Sequence, residues 1–201
     1  MAVRQAAIFD VDDTIINTEE FRIKVLKKVC DELNLTPKIE RFKYMPEAST
    51  EERLKKLYPA HYRKMWQKWC SIYSDEFKNE IRLFAGIKTM LNRLHKSGVL
   101  LFILSTRDKK MILAALEKHK LKGIFTEILG RKKFGGKKPS PAGIDYIAKK
   151  YNLKRSNILF VGDSRTDRQT AVKGNIRFAY ATWKNPTRYK HNFYTRRPRP
   201  L

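Results

Sequence analysis

Four short apolar runs constrain this chain more than anything else in it. They are "AAIFD" (6–10), "VLLFILS" (99–105), "NILFVGD" (157–163) and "RFAYAT" (177–182), and each ends in polar residues that open a helix-like stretch. The runs are continuous rather than alternating, as strands covered on both faces must be. Helical patterns fill the intervals. "IKTMLNRLHKSG" puts Ile87, Met90, Leu91 and Leu94 on one face and stops at Gly98. "KKMILAALEKHKLKG" is expected to stop at Gly123, and "SPAGIDYIAKKYN" carries Pro141 near its first turn. Alternating strands and helices predict an α/β fold, a doubly wound parallel sheet with a weaker fifth strand near 125–129.

One region breaks the alternation. From Thr18 to about Phe84 the text is amphipathic and helical, punctuated by Pro37, Pro46 and Pro59. The expected organisation is a Rossmann-like core from 1–17 and 86–182, an all-helical cap inserted at 18–85, and a tail at 183–201. Tyr62, Trp66, Trp69 and Tyr73 recur at helical spacing; a stripe packed inside the insert is favoured over a platform for stacked bases. The tail alternates Lys and Arg with Trp183, Tyr189, Phe193 and Tyr194 and contains no acid. That composition suits an arm on a phosphate backbone and a plain solvated tail equally.

Lys and Arg number 44 against 20 Asp and Glu, a net charge of +24. Such an excess favours polyanions: nucleic acid, an acidic membrane surface or a strongly phosphorylated substrate. The pair Cys30 and Cys70 lacks metal-ligand spacing and is expected to be two buried free thiols in a reducing compartment. The first strand begins too early to leave room for a signal peptide, and no apolar run approaches a membrane span. A cytoplasmic protein without a membrane span is expected.

Against that charge, "DVDDT" (10–14) packs Asp10, Asp12 and Asp13 directly behind the first strand. Like charges so close repel and are costly to desolvate unless a cation sits among them. Either the acids line the solvated mouth of a loop, or they hold a cation. In open α/β sheets, ligands bind at the carboxyl ends of the strands. Asp10, Ser105 and Asp163 end three of the runs and converge if those strands are central neighbours. Lys138 in "KKPSPAG" precedes a helix between two strands, and Asp167 lies one helical turn beyond Asp163. Taken singly, each has a plainer role: Asp13 and Thr14 as helix caps, Ser105 as a cap, Lys138 as a solvated lysine.

Together, "DVDDT", Ser105 in "ILSTR", Lys138 in "KPSP" and "GDSRTD" resemble the four motifs of the haloacid dehalogenase superfamily of phosphatases. The resemblance covers the whole core, and the insert stands where the family carries its helical cap. Asp13 departs from the Gly that many members have there, a common variant. The resemblance implies that Asp10 is the nucleophile, forming an acyl phosphate, and that Asp12 protonates the leaving oxygen and then deprotonates water. An anionic nucleophile approaching a phosphate needs cationic help. The implied cofactor is Mg²⁺, held by the Asp10 carboxylate, the Asp12 carbonyl and Asp163, with Asp167 behind them. Lys138 and the Ser105 hydroxyl would bind the phosphoryl oxygens.

The expected function is therefore a Mg²⁺-dependent phosphatase acting on a phosphorylated small molecule or nucleotide. Asp12, the second acid that phosphatases use, speaks against dehalogenation, and a mutase outcome stays open. The alternative is a nucleic-acid-associated protein, part of a ribonucleoprotein, using the fold as scaffold with or without activity. The charge and the tail motivate it. The intact acid set argues against pure scaffolding, since such a chain has no need to keep repelling carboxylates together.

Overall fold

A computed structural model describes residues 4–45, 48–131 and 136–183. Among them the apolar runs form β1 (Ala6–Phe9), β2 (Leu100–Leu104), β4 (Ile158–Gly162) and β5 (Arg177–Tyr180), with a short β3 at Glu127–Leu129. All pair in parallel in the order β3-β2-β1-β4-β5. β1 is central: Ile8 lies opposite Phe102 on one side and Phe160 on the other, and all three are fully buried. Burial on both faces explains the unbroken apolar runs. The edge strand β5 is only half-buried along its length.

The core helices are α5 (Ile87–Lys96), α6 (Lys109–Lys118), α7 (Ala142–Lys150) and α8 (Arg165–Lys173). Ile144 and Ile147 of α7 and Ala171 of α8 pack into the sheet's main apolar cluster with Phe102 and Phe160. Gly98, just past α5, takes φ +81°, the left-handed conformation that ends a helix most easily on glycine. α6 departs from expectation. It ends at Lys118, Lys120 takes φ +57°, and Gly123 falls inside a short 3-10 turn, Lys122–Ile124. The stop sits on a lysine because the Leu121 amide bonds back to the Leu116 carbonyl at 2.8 Å and buries Leu121.

Residues Thr18–Arg82 form a separate compact unit. It contains α1 (Thr18–Glu32), α2 (Ile39–Lys43), α3 (Thr50–Leu57) and α4 (Tyr62–Glu80), and no strand among its described residues. Phe21, Val25, Leu26 and Val29 of α1 are buried, as are Met65, Trp69 and Phe77 of α4. Tyr73 stacks on Trp69 and packs on Phe21, with centroids 6.1 and 4.9 Å away, so this part of the aromatic stripe is packing. Tyr58 anchors the loop before α2: its hydroxyl donates to Thr36 O (3.0 Å) and accepts from Lys38 N–H (2.7 Å). Cys30 is buried but Cys70 is exposed, which corrects the expectation of two buried thiols. Cys70 follows the buried Trp69, and one helical step turns it to the solvent side of α4.

The helical unit ends slightly before the boundary expected from sequence. Leu83 pairs with Ile16, and the Phe84 amide donates to Ile15 O at 3.2 Å, which ties both residues to the sheet unit. Of the basic tail, only Trp183 lies among the described residues; the remainder, 184–201, lies outside them. No helix of the described chain is long and apolar enough to cross a membrane.

Candidate active site

The parallel order places the ends of β2, β1 and β4 side by side, and each is followed by a predicted site residue. The Asp10 amide donates to Val161 O (2.9 Å), extending the β1–β4 ladder to Asp10. The Ser105 amide donates likewise to Leu129 O at 2.9 Å. Behind Asp10 the chain turns sharply: Val11 O accepts from the Ile15 and Ile16 amides at 2.9 and 3.0 Å. Asp13 takes φ +56° in this turn, a region glycine enters freely and aspartate enters more readily than most residues. The aspartate at a position where glycine is common thus has a backbone reason. Thr14 does not cap α1; its hydroxyl reaches Asp163 Oδ1 at 3.5 Å, and its carbonyl accepts from the Trp183 indole at 3.0 Å.

Lys138 lies in the loop ahead of α7, its side chain almost fully buried. Its ammonium donates to Asp10 Oδ1 at 2.6 Å and to Asp167 Oδ1 at 2.5 Å. Carboxylate oxygens of Asp10, Asp163 and Asp167 all lie within 4.8 Å of one another. A buried cation thus stands between Asp10 and Asp167. Burial pushes the Asp10 carboxyl up to about 7, the Asp167 and Asp12 charges push the same way, and Lys138 opposes them. Burial also presses on the Lys138 ammonium, but the Asp10 and Asp167 carboxylates outweigh it and hold the lysine above its ordinary value.

Asp167 does two things at once. Its Oδ1 takes Lys138, while its Oδ2 accepts from the Ser164 hydroxyl (2.6 Å) and amide (3.2 Å). The Asp167 amide returns a bond to Ser164 Oγ at 3.1 Å, closing a capping box on α8. Gly162 makes room for it, since a Cβ there would stand 2.6 Å from the Asp167 Cβ and Cγ. Ser105 is buried, and its hydroxyl oxygen accepts the Arg107 amide at 3.2 Å, leaving the hydroxyl proton to donate elsewhere.

A family profile described as Haloacid dehalogenase-like hydrolase matches residues 7–181. The chain belongs to the haloacid dehalogenase-like hydrolases. Among its curated relatives, a phosphoglycolate phosphatase of Aliivibrio fischeri is 32% identical over 99 residues, 49% of this chain and 44% of that protein. One from Vibrio cholerae is 32% identical over 98 residues, 46% of this chain and 43% of the relative. The matched stretch thus spans less than half of these relatives' length. A solved haloacid dehalogenase-superfamily hydrolase of subfamily IA, variant 1, from Geobacter sulfurreducens shares the fold. It superposes with a TM-score of 0.76 at 19% identity, covering 87% of this chain and 85% of that one.

In this haloacid dehalogenase-like hydrolase the Asp12 carboxylate meets Arg107, a residue of "ILSTR" with no role assigned from sequence. Arg107 grips it with Nε at 3.0 Å from Oδ1 and 2.9 Å from Oδ2, and with Nη2 at 2.5 Å from Oδ1. The sequence holds no distinct mark for Arg107: it is one basic residue in "STRDKK", far from Asp12, in a chain crowded with cations. Its nearest signal is its place as the last residue of "ILSTR", two positions after Ser105.

Asp10, Asp163 and Asp167 suit a hard divalent cation, which takes carboxylate oxygens and completes its shell with carbonyls and water. Of the three, Asp167 has both oxygens engaged, one by Lys138 and one by Ser164.

Proposed function

We propose that this hydrolase is a Mg²⁺-dependent phosphatase that cleaves the phosphate monoester of a small molecule through a phosphoaspartyl intermediate on Asp10. The observation that carries the reading is the Lys138 ammonium held between Asp10 and Asp167, with Asp163 beside them. Asp10 Oδ attacks phosphorus while the bond to the leaving oxygen breaks, and Asp12 gives that oxygen its proton. Water then attacks the phosphoaspartyl phosphorus and loses its proton to Asp12. Inorganic phosphate leaves, and Asp10 is regenerated. Lys138 and the Ser105 hydroxyl bind the phosphoryl oxygens as negative charge gathers on them. Mg²⁺, held by the Asp10 carboxylate, the Asp12 carbonyl and Asp163, would neutralise the approach of one anion to another. Asp167 stands behind these ligands and fixes Lys138. By its place in the chain after β1, the helical unit Thr18–Arg82 takes the part of the family's cap.

The names of the curated relatives make 2-phosphoglycolate the first substrate to test. Phosphate release from it and from 4-nitrophenyl phosphate should require Mg²⁺, stop with chelator, and be abolished in Asp10→Asn. Full turnover in excess chelator, or an Asp10→Asn variant within tenfold of the parent, would contradict the reading. The net charge of +24 favours a second, compatible reading, in which the basic surface also binds nucleic acid.

A further inference from the structure

We propose that Arg107 is a positioning residue that fixes the Asp12 carboxylate for both of its proton transfers and leaves Asp12 Oδ2 as the oxygen that carries the proton. The inference rests on the reading of Asp12 as the acid–base group.

The grip is asymmetric. Among the described residues, Oδ1 receives two donors, Nε and Nη2, whereas Oδ2 receives only the Nε–H that it shares with Oδ1. Oδ1 is thus close to saturated, and Oδ2 keeps a lone pair directed away from the guanidinium. A fork of this kind fixes the plane of the carboxylate as well as its place, which a lysine's point charge cannot do.

Arg107 is itself held from every side. Its amide donates to Ser105 Oγ (3.2 Å), and its carbonyl accepts the Arg131 amide (2.9 Å). Gly130 is needed for that approach, because a Cβ there would stand 2.9 Å from the Arg107 carbonyl oxygen and 2.8 Å from the Lys109 amide. The Arg131 guanidinium Nε secures the neighbouring Thr106 carbonyl at 3.0 Å. On the far edge of the Arg107 guanidinium, Nη1 lies 3.7 Å from Met111 Sδ. The side chain is only 10% exposed. One residue therefore ties the Ser105 hydroxyl to the Asp12 carboxylate, across the β1–β2 pair, before any substrate arrives. Geometry set in advance is what proton transfer to a leaving oxygen needs, and a misplacement of about 1 Å can cost ~10²-fold in rate. In the forward step the proton on Oδ2 passes to the leaving oxygen as its bond to phosphorus breaks. In the second step Oδ2 takes a proton from the attacking water.

The test uses Arg107→Met, Arg107→Lys and Asp12→Asn in the full chain, with phenyl phosphate and 4-nitrophenyl phosphate as probes. The nitrophenolate leaves with little need of a proton. For Arg107→Met, kcat on phenyl phosphate should fall by about 10²-fold with KM little changed, and the fall on 4-nitrophenyl phosphate should be clearly smaller. Arg107→Lys should lose nearly as much, since it keeps the charge but not the fork. In an Asp12→Asn background, Arg107→Met should add almost nothing, because the two act as one unit. Added guanidinium ion should restore part of the activity of Arg107→Ala, which also covers a case where the Met variant folds poorly. Arg107 variants at the parental rate on phenyl phosphate would overturn the proposal. So would losses equal on both esters and additive with Asp12→Asn, the pattern of a merely structural arginine. Failure of the underlying reading has a different signature: Asp12→Asn itself would then lose equally on both esters.

Discussion

Lys138 holds its ammonium 2.6 Å from Asp10 and 2.5 Å from Asp167, and this one side chain ties the carboxylate after β1 to the one in the first turn of α8. Without it, Asp10 and Asp167 lose the cation that stands between them. Lys138→Met should therefore lower turnover by at least ~10²-fold, the usual worth of a group aimed at developing phosphoryl charge. It should also destabilise the metal-free protein, since removing one partner of a buried ion pair costs about 3–5 kcal/mol. Mg²⁺ should raise the melting temperature of the variant more than that of the parent. Thermal unfolding with and without Mg²⁺ checks this, and a parental rate or an unchanged metal-free Tm would contradict it. At this scale Asp10, Asp12, Ser105, Lys138, Asp163 and Asp167 are readable only as a set, through the four motifs that resemble the haloacid dehalogenase superfamily, since each alone has a plainer reading. Arg107 is not, because one arginine among 44 Lys and Arg carries no pattern. Its meaning arises only when β2 lies beside β1.

α8 begins where β4 ends, and Asp167 serves both: it closes the capping box with Ser164 and holds Lys138. Gly162 gives it space. A methyl group there would meet Asp167 Cβ and Cγ at 2.6 Å, so Gly162→Ala must push Asp167 off Lys138 or strain the turn. The substitution should cost about 1–3 kcal/mol by overpacking, measured by urea unfolding, and reduce turnover with it. A neutral Gly162→Ala would show that Asp167 has freedom this geometry denies it. The strands and α5 are legible in the sequence because continuous apolar runs and a terminal glycine each have one dominant cause. The end of α6 is not: Lys120 adopts a left-handed conformation without a glycine or asparagine to signal it, and Gly123 is a misleading mark. β3 is short, and its boundary is blurred by the 3-10 turn ahead of it.

For the molecule as a whole, the striped chain and its helical interruption suggest an insert after β1, and Thr18–Arg82 packs as a compact unit of its own. Charge is the property the fold does not absorb. Asp10, Asp12, Asp13, Asp163 and Asp167 follow β1 and β4, while lysines and arginines stud the helices of the sheet unit. If the basic tail binds RNA, deleting residues 185–201 should flatten the slope of log affinity against log salt by roughly 0.7 for each phosphate the tail had neutralised. Turnover of a small ester should barely change, because the catalytic set lies upstream. An untouched slope would remove the tail as a nucleic-acid arm. Every step of the proposed chemistry, though, depends on Asp10 carrying the phosphoryl group, and acid-quench mass spectrometry during turnover in Mg²⁺ reads that bond itself. A phosphate should appear on the peptide containing Asp10, transient in the parent and accumulating in Asp12→Asn, where water is poorly deprotonated. Steady turnover with that peptide unmodified in both proteins would refute the phosphoaspartyl route.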